Sequence, residues 1–314
     1  MIEMKVGKGE KIRLLVIQGP TASGKTELAI RIAESLGGEI INADSMQVYR
    51  GMDIGTAKPS PDLQKRVRHH LLDIVSPDKN FSAGDFRREA VKAISEIHSR
   101  GAKPILVGGT GLYIRVLLKG LVEVPPADPE YRKELQELIE RSGGDFLLSK
   151  LALLDPVSAA ALHPNDHVRI IRALEVFRQS GSPISAFRDR HGFMAEEYDY
   201  LKIGIRLSRE ELYSRINRRV ECMIDEGLED EVKGLLASGY DLELKSMKSI
   251  GYREMCSYLA GECTIDEAVE LIKRNTRRYC KRQETWFRGD SEIYWVEYPK
   301  SFASIINHVH AFFD

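Results

Sequence analysis

Residues 14–26 read LLVIQGPTASGKT, and this stretch decides the fold. The apolar run Leu14–Gln18, closed by Gly19-Pro20, predicts a buried strand. Thr26–Leu36 (TELAIRIAESL) has helical apolar spacing and stops at Gly37-Gly38. The connecting loop, Gly19-Pro20-Thr21-Ala22-Ser23-Gly24-Lys25-Thr26, fits GxxxxGK[ST] in full and in the strand–loop–helix context that motif requires. Gly24 permits the tight turn that points successive N–H groups at phosphate oxygens, and the helix N-terminus adds partial positive charge. Lys25 supplies a full charge, and the Thr26 hydroxyl can ligate magnesium. A Gly-rich turn without a ligand is the plainer alternative. The motif points to a di- or triphosphate but leaves the reaction open.

Working outward, Glu39–Asn42 and Pro104–Val107 read as further strands, with Lys202–Leu207 and Ile293–Glu297 as later ones. Helical patterns separate them, which predicts an α/β fold built on a P-loop NTPase-like open parallel sheet. Residues 120–200 break the alternation. A Pro-rich hinge (Val124–Pro129) precedes helical stretches at Tyr131–Arg141, Phe146–Leu153 and His167–Gln179. The expected organisation is therefore an α/β core of residues 1–119 and 201–314 carrying C-terminal helices, with a helical insertion domain at 120–200. Ser208-x-x-Glu211 and Thr264-x-x-Glu267 both fit a capping box.

The chain has 314 residues, 43% apolar and 30% charged, which excludes a globally disordered or fibrous protein. Mean hydropathy is −0.29, and no apolar run approaches the ~20 residues of a membrane span, so no membrane association is expected. Met1–Arg13 is polar, without a signal-peptide core. Cys222, Cys256, Cys263 and Cys280 form neither a disulfide framework nor CxxC metal spacing, so a cytoplasmic location is expected. The net charge is −1, yet residues 271–288 hold seven Lys/Arg against one Glu. A localised basic stripe suggests one anionic partner.

Two segments flank the phosphate loop in the expected topology. Asn42-Ala43-Asp44-Ser45-Met46-Gln47 follows the second strand, whose carboxyl end faces the ligand crevice of such a sheet. Asp44 would bind metal there or take a proton from a nucleophile, unless it only caps its loop. Gly108-Gly109-Thr110-Gly111 follows the third strand, with glycines that allow close backbone approach and a Thr110 hydroxyl. His69 and His70 point in different directions and read as structural rather than metal-binding. The run before Asp73 is too short to make it a convincing magnesium ligand. If 265–288 is one helix, Arg274, Arg278, Lys281 and Arg288 lie near one face with Tyr279, Trp286 and Phe287 interleaved. Single-stranded RNA binding needs that mixture of charge and stacking surface. A solvated face whose aromatics belong to the core is the alternative. Arg169 and Arg172 put two charges on one face of an insertion helix.

With these motifs in place the sequence resembles the bacterial type of tRNA dimethylallyltransferase (tRNA isopentenyltransferase), from about Leu14 to Arg288. The resemblance rests on GPTASGKT (19–26), NADSMQVYRGMDIGTAKP (42–59), HHLLDIVSP (69–77), FSAGDF (81–86), GGTGLY (108–113), RIIRALEV (169–176), SIGYRE (249–254) and KRQETWFR (281–288). It implies transfer of a dimethylallyl group from dimethylallyl pyrophosphate to the exocyclic amine of the adenine 3′ to the anticodon. Asp44 would be the general base. Gly19 to Thr26 would hold the pyrophosphate, with Lys25 and Thr26 as catalytic groups and magnesium at Thr26. Ser45, Met46 and Gln47 would read the flipped adenine and its neighbours, Thr110 would contact tRNA, and Arg132 would be a catalytic group near the reacting phosphates and tRNA. Arg169 and Arg172, then Ser249, Gly251, Tyr252 and Arg253, then Arg278, Lys281, Arg282, Gln283, Trp286 and Arg288 would grip the anticodon stem-loop. A monomer is expected. The alternatives are a P-loop small-molecule kinase, an adenylate prenyltransferase using the same donor, and a nucleotide-gated RNA-binding module without catalysis.

Overall fold

The computed structural model describes residues 11–122, 124–191 and 197–314. β1 (Ile12–Gln18), β2 (Gly38–Asn42), β3 (His69–His70), β4 (Lys103–Gly108), β5 (Tyr198–Ile205) and β6 (Ile293–Val296) form one sheet in the order β3-β2-β4-β1-β5-β6. Every pairing is parallel. The chain moves to one side of β1 first and crosses to the other after β4, so the loop leaving β1 opens into the crevice at the point where direction switches. Because both faces are covered, β1 is apolar without alternation. Leu14 and Val16 enter one core layer, Leu15 and Ile17 the other.

Four helices belong to the first half: α1 (Lys25–Leu36), α2 (Pro61–Arg66), α3 (Ala83–Ser99) and α4 (Gly111–Lys119). The insertion supplies α5 (Pro129–Ser142), α6 (Gly144–Leu154), α7 (Pro156–Ala160), α8 (His167–Ser180) and α9 (Ile184–His191). The return adds α10 (Arg209–Asp225), α11 (Leu228–Ala237), α12 (Tyr252–Leu259), α13 (Ile265–Arg288) and α14 (Phe302–Phe313). Phe86, Ile94 and Leu117 cover one sheet face, while Leu28, Ile32, Ile305 and Val309 cover the other. The insertion has its own core of Leu147, Leu151, Ile170, Leu174 and Val176.

The chain divides into two compact units, cut after Leu118 and after Ala195. The second cut precedes the expected return at 201, because Tyr198–Tyr200 already pair with Ile12–Leu14 at the start of β5. β3, with two residues, is too short to give a periodic signal. Thr264 and Glu267 form the reciprocal cap expected at α13. At α10 only half of the box forms: Ser208 accepts from the Glu211 amide at 3.2 Å, but the Glu211 carboxylate turns to Arg215 at 2.7 Å.

Candidate active site

The phosphate loop is built from strained and uncapped backbone. Gly24 (φ 94°) and Ala22 (φ 62°) both lie in the left-handed region, which turns the chain sharply ahead of α1. No side chain caps α1 at Gly24, whereas Ser82, Ser208 and Thr264 cap α3, α10 and α13. The first-turn amides of α1 therefore have no side-chain acceptor, and an anion is their natural partner. Ser23 Oγ is buried on the same loop without a protein partner. Lys25 Nζ donates to the Pro20 carbonyl at 2.6 Å. Burial, reinforced by the Arg219 guanidinium, lowers its pKa to about 8, against the opposing pull of Asp44.

Asp44 stands just past β2, where its Oδ1 accepts the Met46 amide at 2.8 Å. Burial raises its pKa above the ordinary carboxylate value, opposed by that hydrogen bond and by Lys25. A carboxylate in this state is a stronger base than one in water. It borders two cavities. One, of about 420 Å³, contains Thr21–Thr26, Asp44, Arg219 and Tyr279. The other, of about 550 Å³, contains Asp44, Arg219 and Tyr279 again, and also Ser45, Met46, Ser249, Gly251, Arg253, Arg278 and Arg282. The structure thus brings the expected phosphate and base-reading groups together on either side of one carboxylate.

Arg219 of α10 was not among the expected site residues. It lines both cavities, approaches Thr21 Oγ1 at 3.5 Å, and is a second cation beside Lys25, attracted by the Asp44 carboxylate. Leu212, Ile216 and Val220 mark the buried face of α10 at four-residue spacing, and Arg219 is at its rim. That phase was the available signal.

Several residues expected to contact RNA also make internal bonds. The Gln283 side chain accepts the Thr21 amide at 2.9 Å and donates to the Gly109 carbonyl at 2.9 Å, so it is a buried tie between two loops. The crowding explains the glycines: a Cβ on Gly108 would lie 2.2 Å from the Ala43 carbonyl oxygen, and one on Gly109 would lie 2.3 Å from Gln283 Nε2. Thr110 Oγ1 accepts the Ser45 amide at 3.1 Å, and the Gln47 side-chain amide donates to the carbonyls of Thr56 and Ala57 at 3.0 and 3.1 Å. Only the Gln47 oxygen remains for a ligand.

Tyr252 is fully buried and donates to Glu231, whose carboxylate also accepts the amides of Asp53, Ile54 and Gly55. Glu231→Ala would strand those donors and is expected to cost roughly 2 kcal/mol in denaturant unfolding; a loss below about 0.5 kcal/mol would show that the clamp carries no stability. His69 bonds the Val67 carbonyl and His70 bonds Glu39, consistent with structural histidines. Asp73 pairs with Lys58 at 2.6 Å.

α13 is one helix, as its charge pattern requires. Cys280, Gln283 and Phe287 form its buried face, while Lys273 and Arg277 are engaged by Glu221, Glu270 and Asn217. Arg274, Arg278, Lys281 and Arg288 are exposed, and their side chains make no ion pair among the described residues. Trp286 is 39% exposed. In the insertion, Arg132 is bidentate on the buried Glu175 at 2.8 Å to each oxygen, and Arg172 binds the same carboxylate. The Arg132 guanidinium thus braces α5 against α8. Arg169 is exposed and pairs with Asp166 at 3.3 Å.

A model of the IPP transferase family matches residues 47–290. The chain is 66% identical over 97% of its length to tRNA dimethylallyltransferase 2 of Geotalea uraniireducens, covering 98% of that protein. It is 60% identical to tRNA dimethylallyltransferase of Geobacter sulfurreducens, with 97% and 98% coverage. Among solved structures, the full-length tRNA isopentenylpyrophosphate transferase of Bacillus halodurans superposes with a TM-score of 0.71 at 44% identity, over 96% of this chain and 97% of that one. A eukaryotic dimethylallyltransferase acting on tRNA superposes with a TM-score of 0.76 at 29% identity, over 91% and 74%.

Proposed function

This chain belongs to the IPP transferase family of tRNA dimethylallyltransferases, and from that premise we propose how its residues perform the transfer. A dimethylallyl group moves from its pyrophosphate to the exocyclic amine of the adenine 3′ to the anticodon, giving isopentenyladenosine. The observation that carries the assignment of roles is that Asp44 borders both the phosphate-loop cavity and the cavity flanked by α13. The donor occupies the first, and the flipped base enters from the second. The amine nitrogen bonds to the allylic carbon as the carbon–oxygen bond to pyrophosphate breaks, and Asp44 takes the amine proton. Charge gathers on the leaving oxygens, which meet the uncapped amides of α1, Lys25 and Arg219. Extruding the base costs a few kcal/mol, least for an unpaired nucleotide.

Magnesium suits the first cavity: the Thr26 residue lines it, and the described residues offer no group of three or more His, Cys, Asp or Glu for a protein-only site. Thr26 would hold the ion together with phosphate oxygens and water, and the ion would add neutralising charge on the leaving group. A small-molecule kinase would leave the unpaired α13 cations without a role, as would an enzyme acting on free adenylate. Every group assigned to the transfer comes from one chain, so a monomer suffices, and we place the reaction in the cytoplasm with its tRNA. No helix among the described residues is long and apolar enough to cross a membrane.

The exposed face of α13 is assigned to the anticodon stem-loop, as is Arg169 of the insertion. Arg278→Ala with Lys281→Ala is expected to weaken tRNA binding about tenfold at low salt and to flatten the log–log salt dependence by about 1–2. An unchanged slope would remove that face from the interface. The overall reading is tested by mass spectrometry of tRNA nucleosides after incubation with dimethylallyl pyrophosphate. Isopentenyladenosine is expected; untouched adenosine would overturn it.

A further inference from the structure

Tyr279 is an aromatic residue of the basic helix that the transfer mechanism leaves unused, yet it faces both cavities together with Asp44. Its ring lies under the Arg282 guanidinium, 5.6 Å from centroid to carbon. The Thr110 and Gln283 side chains stand beside its hydroxyl. The acceptor oxygens of both already serve backbone amides, Ser45 for Thr110 and Thr21 for Gln283. The phenol's proton is therefore available to a ligand in the cavities that Tyr279 shares with Asp44. Burial, assisted by the Asp44 charge, pushes the phenol's pKa upward, so the group remains a donor across the working pH range.

We propose that Tyr279 contacts the acceptor base: its O–H donates to a ring nitrogen flanking the amine of the flipped adenine, N1 or N7, while Asp44 accepts the amine proton. The assignment rests on the transfer reaction proposed above. A donor and an acceptor side by side match adenine, which presents a lone pair next to an N–H. Guanine presents an oxygen at the amine position, which leaves Asp44 without an amine N–H on either edge, and its N1 carries an N–H that also fails the Tyr279 donor. The pair therefore selects the base and aims its amine at the donor carbon.

The test compares wild type with Tyr279→Phe, which keeps the ring beneath Arg282. The substrates are anticodon stem-loops carrying adenosine, 1-deazaadenosine or 7-deazaadenosine at the target position. With adenosine, the variant is expected to lose about 10–100-fold in kcat/KM for RNA, with KM for dimethylallyl pyrophosphate unchanged. One of the deaza analogues should cost wild type a similar factor and cost the variant nothing more. The analogue that shows this coupling identifies the nitrogen. Equal losses of the variant on all three RNAs, or no loss on adenosine, would overturn the proposal. Coupling also separates contact from a structural role, which would lower every substrate alike. Transfer to adenosine by wild type is a requirement of the proposed function itself, so its absence would overturn that reading and this one with it. Wild-type transfer without coupling would overturn the Tyr279 contact alone.

Discussion

Replacing Asp44 with Asn is expected to lower the single-turnover rate of transfer by about 10²–10⁴-fold, the range for loss of a positioned general base. Asn retains an oxygen for the Met46 amide, which Asp44 Oδ1 now accepts at 2.8 Å, so the loop should keep its shape. Affinity for tRNA should change less than threefold, because the phosphate contacts that dominate RNA binding lie elsewhere. Rapid-quench turnover and a filter-binding titration on the same preparation check both halves. Parallel loss of binding and rate would make Asp44 a structural cap instead. The acid limb of the pH–rate profile should also carry its mark. A base must be deprotonated, and burial raises the Asp44 pKa above the ordinary carboxylate value. Activity should therefore rise with pH through a value higher than that of a solvated aspartate, and this limb should vanish in Asp44→Asn.

Arg219→Ala should have the second-largest effect, about 10²–10³-fold on kcat with tRNA affinity preserved. Its guanidinium shares the cavity with Lys25 and approaches Thr21, where the leaving pyrophosphate gathers charge. Lys25 sets the other pH limit. Its pKa of about 8 means that it loses its proton within an accessible range. Below that value the ammonium is present for the pyrophosphate, and above it the charge is lost. kcat/KM for the donor should thus fall as pH rises through about 8, since that ratio reports the free enzyme. Removing Arg219 removes the like charge that helps depress Lys25, so the alkaline limb should move upward in Arg219→Ala. A limb that stays in place would mean that the two cations do not interact.

Much of this site is legible in the chain because its signals are local. A phosphate loop is eight consecutive residues between a strand and a helix, and each position has a backbone reason to be what it is. Asp44 follows a strand whose direction in a parallel sheet decides which end faces the ligand. The α13 stripe shows because its cations repeat at helical spacing. Residues with distant partners were harder to read. Gln283 sits among basic residues in sequence, but its helical phase places it with Cys280 and Phe287, and its partner Thr21 is 262 positions away. Arg219 follows Arg218 directly, and only the packed face of Leu212, Ile216 and Val220 turns one inward and the other out. Arg132 and Arg172 met Glu175, a carboxylate buried on a different turn of the insertion.

Read alone, the chain determined the sheet, the anion loop, the carboxylate beside it and the basic helix. These follow from periodicity and turn chemistry within a few residues. Tertiary structure decided which polar side chains are free to meet a substrate and which are consumed in holding the fold. A buried polar group must find a partner, and those partners arrive from segments far apart in sequence.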